Sequence, residues 1–303
     1  MTLDELIAII QAAGGAENAL AYAKELLVKI NRIGAERSCA PLLNQIRFAR
    51  EEGDFRGRVL EVNFADCFLR KGIILNNAVK QGMKGDIDFC WKLDAHAVYI
   101  ELKLIGLDRK TRDEINAQLE RRGASSIVVN NADGKGDTVD VARLQADLIQ
   151  KASTRKFNPT VGVGIINIVA VDVSELQLGT VDLCDCLLAA GGNSLASRYY
   201  KDVCLREAVV GAFETIAPNQ LKQSQTEWLK TVQKLPEGAP HPKTYIHGAL
   251  FLFREPRERA ALSYDLCGAM VWNHALIAVA AANQICSALY DVIPRPKADG
   301  PGE

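Results

Sequence analysis

Residues 86–104 read DIDFCWKLDAHAVYIELKL, and this stretch restricts its own folding more tightly than any other part of the chain. In the first arm Ile87, Phe89 and Trp91 are apolar, and Asp86, Asp88 and Cys90 alternate with them. In the second arm Val98, Ile100 and Leu102 alternate with Tyr99, Glu101 and Lys103. Side chains of a strand point to opposite faces in turn, so two such arms around a turn at residues 92–96 predict a hairpin with one buried face. Matching the apolar residues pairs Trp91 with Val98, Phe89 with Ile100 and Ile87 with Leu102. The same register sets Asp88 opposite Glu101 and Asp86 opposite Lys103, each on the polar face. A one-residue slip would put acids against apolar side chains, whereas a two-residue slip leaves the same groups on the same face. Three carboxylates and a lysine thus converge on one patch, a costly arrangement unless a cation sits among them. The plainer alternative is a solvated cross-strand network, worth roughly a fraction of a kcal/mol per pair. The opposition of Asp88 and Glu101 counts against it, because like charges face each other there.

The flanking sequence supplies helices on both sides of the hairpin. Residues 2–31 read as two helical segments broken at Gly14-Gly15, with Leu3, Ile7 and Ile10 on one stripe and Leu20, Ala23, Leu27 and Ile30 on the next. Residues 38–51 form a further helical candidate, and another runs from Gly53 to about Lys71, ending at Gly72. Glu61 borders a packed stripe of that helix. It reads either as a surface residue whose stem covers the core or as a group that reaches the polar face of the hairpin. Residues 73–79 are a short apolar connection with some strand character.

Beyond the hairpin, the charged segment 108–122 reads as an exposed helix, 126–129 as a strand and 130–136 as a loop. Residues 138–157 carry a helical stripe of Val141, Leu144, Leu148 and Ala152, with Lys151, Arg155 and Lys156 as a basic end. The nearly continuous apolar run 161–173 predicts a central strand covered on both faces. Residues 203–216 and 273–290 read as helices, 220–233 as a polar helix or loop, and 249–253 and 269–272 as strands. No internal repeat and no clean linker between folded domains stands out.

Composition narrows the function. A formal net charge of −1 gives no global basic field, so nucleic-acid binding would need a local patch. The 8 cysteines are scattered through apolar contexts, and Cys184-Asp185-Cys186 lacks the partner pair or histidine of a metal site. The opening MTLDELIAII does not resemble a secretory n-region, and the apolar stretch 275–282 is too short to span a bilayer. A cytoplasmic protein with reduced thiols and no membrane segment is therefore expected. The four histidines, His96, His241, His247 and His274, read as surface or capping groups.

Gly85-Asp86-Ile87-Asp88-Phe89 followed by Ile100-Glu101-Leu102-Lys103 resembles the PD-(D/E)XK nuclease superfamily, which includes restriction endonucleases and many repair and defence nucleases. The order of elements is similar as well: a helix with a glutamate, the Asp and Glu-x-Lys hairpin, a helix, then a strand. The resemblance covers roughly residues 55–175, with an apparent insertion at 108–131. One departure is Ile87, which stands where that family has a proline.

The resemblance implies an α/β, restriction-endonuclease-like mixed central sheet flanked by helices. A helical N-terminal extension (1–37) would precede a nuclease core (38–175). An α/β C-terminal elaboration packed on the core (176–290) and a disordered tail (291–303) would follow. It implies Asp88, Glu101, Lys103 and Glu61 as catalytic residues. Asp88, Glu101 and the Leu102 carbonyl would hold Mg²⁺ or Mn²⁺, with Glu61 in the outer shell. Asp88 is preferred to Asp86 because the register sets it directly against Glu101. Lys84, Lys151 and Arg155 are the candidate nucleic-acid contacts. The activity implied is metal-dependent hydrolysis of DNA phosphodiester bonds, in restriction or antiphage defence. A homodimer is expected from the need to cut two strands, and the N-terminal helices are the candidate partner surface. The competing reading is a silent nuclease-like module that binds nucleic acid or protein without cutting.

Overall fold

A computed structural model describes residues 1–13, 20–82, 84–106, 136–154, 156–158, 162–176, 181–196, 202–232, 235, 240–255 and 262–296. The Gly14-Gly15 break, the charged segment 108–122 with the strand and loop expected after it, Arg155 and the tail from 297 lie outside the described residues. The chain divides into two compact units that interleave along the sequence. Unit 1 comprises Met1–Leu104, Leu148–Asp172 and Leu235–Glu303; unit 2 comprises Ile105–Asp147 and Val173–Lys234.

Unit 1 is mixed α/β. It opens with α1 (Leu3–Ala12), α2 (Ala23–Gly34), α3 (Ala40–Phe48) and α4 (Glu52–Leu69). The start of α1 is a capping box in which Thr2 and Glu5 bond each other's backbone amides. The end of α4 is a Schellman turn: Gly72, at φ +73°, donates to Leu69 O, and Ile73 donates to Phe68 O. The chain then enters the sheet through β1 (Asn76–Val79), β2 (Ile87–Leu93) and β3 (His96–Leu104). After α5 (Gly136–Ala152), whose residues from Leu148 on belong to unit 1, come β4 (Ile165–Asp172), β5 (Gly248–Glu255) and β6 (Asp265–Trp272). Six strands form one sheet in chain order, β1 to β6.

The hairpin pairs in the register the apolar pattern predicts, with Trp91 opposite Val98 and Phe89 opposite Ile100. Its two-residue connection turns at Asp94, which takes φ +48°. Pairs β1/β2, β2/β3 and β5/β6 are antiparallel, whereas β3/β4 and β4/β5 are parallel. Parallel neighbours need long crossovers, and the chain supplies one after β3 and another after β4. β4 is buried along nearly its whole length, as a central strand covered on both faces should be.

One face of the sheet carries Phe89, Trp91, Val98, Ile100, Leu102, Ile168, Ala170, Leu250 and Leu252. These join Leu6, Ile10, Leu26, Ile30, Ile33, Leu42 and Ile46 of the N-terminal helices in a single core. A run of aromatic contacts fastens α4 to β2: Phe68 to Phe64 at 5.1 Å, Phe64 to Phe89 at 5.6 Å, and Phe68 edge-on to Trp91 at 5.3 Å. The final helix α10 (Val279–Tyr290) adds Ala282, Ile285 and Leu289 to this core. It is shorter than the apolar run 273–290 suggests. Asn273 uses its side-chain amide to bond Lys243 O and Ile246 O, which holds the chain in a turn before the helix starts.

Unit 2 holds α6 (Leu183–Gly191), α7 (Asn193–Ala196), α8 (Val203–Ala208) and α9 (Gln223–Val232), with the first part of α5. Asp182 and Asp185 form a capping box at the start of α6, so the polar residue between Cys184 and Cys186 serves helix initiation. The helix expected over 203–216 stops at Ala208, because Val209 is extended (ψ 130°) and Gly211 follows. Gly211 lies so close to Gly191 and Gly192 that its amide and theirs leave no room for a side chain. Gln145 accepts from Trp228 Nε1 at 2.6 Å and donates to Val210 O at 2.6 Å, tying three segments of the unit.

Candidate active site

Glu61, Asp88 and Glu101 come from α4, β2 and β3, and all three lie in unit 1. Glu61 lies one turn before Phe64, whose aromatic contacts fasten α4 to β2. Asp88 and Glu101 stand where the β2/β3 ladder gives way to side chains: the last backbone pair at that end is Phe89 with Ile100. Beyond it the Asp88 N–H donates to Glu101 Oε2 at 3.1 Å, and the Leu102 N–H donates to Asp88 Oδ2 at 2.7 Å. The two carboxylates thus replace ladder bonds, which fixes their rotamers against the sheet.

Two ammonium groups meet Glu101, which is fully buried. Lys156 Nζ lies 2.5 Å and Lys151 Nζ 2.8 Å from Glu101 Oε1. Lys156 Nζ is also 3.9 Å from Asp88 Oδ1. On the helix side, Arg58 Nη1 donates to Glu61 Oε1 at 2.7 Å, while Glu61 Oε2 is buried without a hydrogen-bond partner.

The electrostatics follow from this crowding. Burial, then the Asp88 carboxylate, push Glu61 up to about 8, with Arg58 and Lys151 opposing. Burial, then Glu101, push Asp88 up to about 6, against the pull of Lys151, Lys156 and the Leu102 amide. Burial alone would depress Lys156, but Glu101 outweighs it and holds the ammonium above the ordinary lysine range. The cluster therefore retains a proton at neutral pH in place of a further cation.

Lys103 lies on β3 on the same face as Glu101 and is half-buried. Asp86, expected beside Lys103, has its Oδ1 buried without a hydrogen bond. Lys84 is exposed in the loop that leads into β2. Lys151, expected as a nucleic-acid contact, instead pairs with Glu101, and Lys156 joins it there. Reasoning from the sequence did not assign Lys156 or Arg58 to the site. Arg58 sits three residues before Glu61 on one helix, a spacing visible in the sequence. Lys156 follows the helix in an irregular segment, whose return to the hairpin no periodicity announces. The segment is moored by Gln81, which donates to Asn167 Oδ1 at 2.8 Å and accepts from the Asn158 N–H at 3.4 Å.

The histidines lie apart from these groups. His241 caps a short helical turn, accepting from the Lys243 N–H at 3.2 Å. His247 is buried rather than at the surface. It accepts from the Asn167 N–H at 3.0 Å, and burial pushes it down to about 4.

The carboxylate oxygens are hard ligands of the kind Mg²⁺ and Mn²⁺ take, and Glu61 Oε2 is buried without a hydrogen-bond partner. Among the described residues no three His, Cys, Asp or Glu side chains are grouped as a ready metal site. Mg²⁺ commonly takes one or two carboxylates and keeps its waters, so the pair Asp88 and Glu101 with a backbone carbonyl fits that chemistry. Among the described residues no helix is long and apolar enough to cross a membrane. Comparisons with protein-family models, with curated proteins and with solved structures found no match for this chain.

Proposed function

We propose that this chain is a Mg²⁺- or Mn²⁺-dependent nuclease of the PD-(D/E)XK type that hydrolyses DNA phosphodiester bonds. The observation that carries the reading is the interlocking of Asp88 and Glu101 across β2 and β3, with Lys151 and Lys156 on them and Glu61 of α4 near enough for Asp88 to raise it. The order α4, β1, β2, β3, α5, β4, with β4 parallel to β3, supports it. Asp88, Glu101 and the Leu102 carbonyl would hold the ion. When bound, it supplies Lewis acidity at a phosphoryl oxygen and a lowered pKa for water. Lys103, on the face of Glu101, orients the attacking water and offsets the charge that grows on phosphorus. Glu61 would complete the outer shell of the ion from the helix side. Lys84, exposed before β2, would meet a backbone phosphate. Cutting both strands calls for two such sites, so a homodimer belongs to the proposal, as does a role in restriction or antiphage defence.

A second reading, a silent nuclease-like binding module, draws on one observation. Both oxygens of Glu101 and one of Asp88 are already satisfied by lysines and amides. One assay separates the two. Supercoiled plasmid is incubated with the protein in Mg²⁺ and in EDTA, beside Asp88→Ala and Lys103→Ala. Nicking that requires the metal and falls by about 100-fold or more in each variant is expected. Cleavage that survives EDTA or both substitutions sinks the mechanism. Salt-sensitive binding without any cleavage of DNA or RNA supports the silent module.

A further inference from the structure

Lys156 Nζ faces both of the carboxylates that the proposed function assigns to a divalent ion, at 2.5 Å from Glu101 Oε1 and 3.9 Å from Asp88 Oδ1. Three features hold it there. Its stem runs over Gly85, where a Cβ would lie 3.5 Å from Lys156 Cε, and that glycine takes φ +67°. Phe157, next in sequence, is buried. The Asn158 N–H is tied to Gln81 Oε1. An ammonium supplied from outside the hairpin, on a segment anchored immediately after it by Phe157 and Asn158, is a built feature of the site.

With Lys151 also on Glu101 Oε1, that oxygen already carries two cations. Like charges at such separations repel strongly in a water-poor site, so Lys156 Nζ must withdraw before the same oxygens can serve a divalent ion. We infer that Lys156 is a resident cation of this site, holding the Asp88–Glu101 pair together in the metal-free protein and setting the metal concentration at which the site loads. The inference rests on the nuclease reading for the identity of the ion's ligands. Lys156 and the ion are then antagonists with a reciprocal coupling: whatever weakens one at Glu101 strengthens the other.

The test is calorimetric titration with Mn²⁺, without nucleic acid, on the wild-type protein, Lys156→Met, Lys156→Arg and a control at the exposed Lys92 (Lys92→Met). Lys156→Met is expected to bind Mn²⁺ roughly tenfold more tightly and to melt lower in EDTA, where two carboxylates face each other with one cation fewer. Lys156→Arg keeps the charge and is expected to bind no more tightly than the wild type; Lys92→Met matches the wild type. A merely structural lysine would lower the melting temperature and leave Mn²⁺ affinity unchanged or weaker, and that result overturns the inference, as does the absence of Mn²⁺ binding in every variant. Should Lys156→Met fail to fold, Lys156→Gln is read by the same criteria. Plasmid cleavage measured in parallel keeps the two claims apart. A wild type that cuts, beside a Met variant that binds no more tightly, removes only the resident cation. Tighter binding in a protein that never cuts removes only the nuclease.

Discussion

A carboxylate out of water with another carboxylate beside it takes up a proton, and Glu61 and Asp88 both do so, at about 8 and about 6 against ordinary values of 4.5 and 3.8. The sign is unusual for acids. Because the folded state binds these protons more tightly than the unfolded chain, their contribution to stability is complete below the ordinary values of 4.5 and 3.8 and is lost as pH rises through about 6 and about 8. In EDTA the melting temperature is therefore expected to fall between pH 5 and pH 8, and Glu61→Gln, which mimics the protonated acid, flattens that decline. Parallel melting curves for the two proteins across this range would remove the explanation. At this scale the sequence was informative about Asp88 and Glu101, because strand alternation places them without knowledge of the rest. It was silent on Lys156, which reaches Glu101 from irregular backbone, and it misjudged His247, whose buried role depends on a partner in another strand.

Elements whose order follows a periodic pattern were legible, and their ends were not. The hairpin register follows from apolar matching alone. The helix over 203–216 ends early because a close approach of Gly211 to Gly191 and Gly192 intervenes, and no helical periodicity encodes that. A similar backbone approach controls the seating of β4. Gly164, at φ +77°, accepts from the Ala97 N–H, and a Cβ there would lie 2.6 Å from the Ala95 carbonyl oxygen. That oxygen is backbone at the tip of the hairpin and has little freedom to yield. Gly164→Ala should therefore cost about 2 kcal/mol or more through strain and clash together, read from urea unfolding. The β3/β4 register starts at the next residue, Ile165 opposite Ala97, so the variant should also lose amide-exchange protection along β4. A change under half of that size, with β4 protection intact, would show that the hairpin tip yields.

At the scale of the molecule, the α/β class was legible from strands and helices alternating along the chain, whereas the interleaving of two units was not. Each crossover between parallel strands leaves unit 1 for unit 2 and returns, so the boundaries follow spatial neighbours rather than any linker composition. The central position of β4 has a kinetic consequence. The antiparallel pairs β2/β3 and β5/β6 join strands close together in sequence, but β4 finds Glu101 opposite Val169 and Ala249 beyond it only after both long crossovers close. Such non-local pairing slows folding to the range of about milliseconds to seconds. Pulse-labelled hydrogen exchange during refolding should therefore find β2 and β3 protected before β4, and simultaneous protection of all three would contradict this order. Until β4 arrives, the edge of β3 stands open along Val98, Ile100 and Leu102, an unpaired apolar template for a neighbouring chain. Yield on refolding should thus fall steeply with protein concentration, and a newly made chain is most exposed to aggregation in that interval.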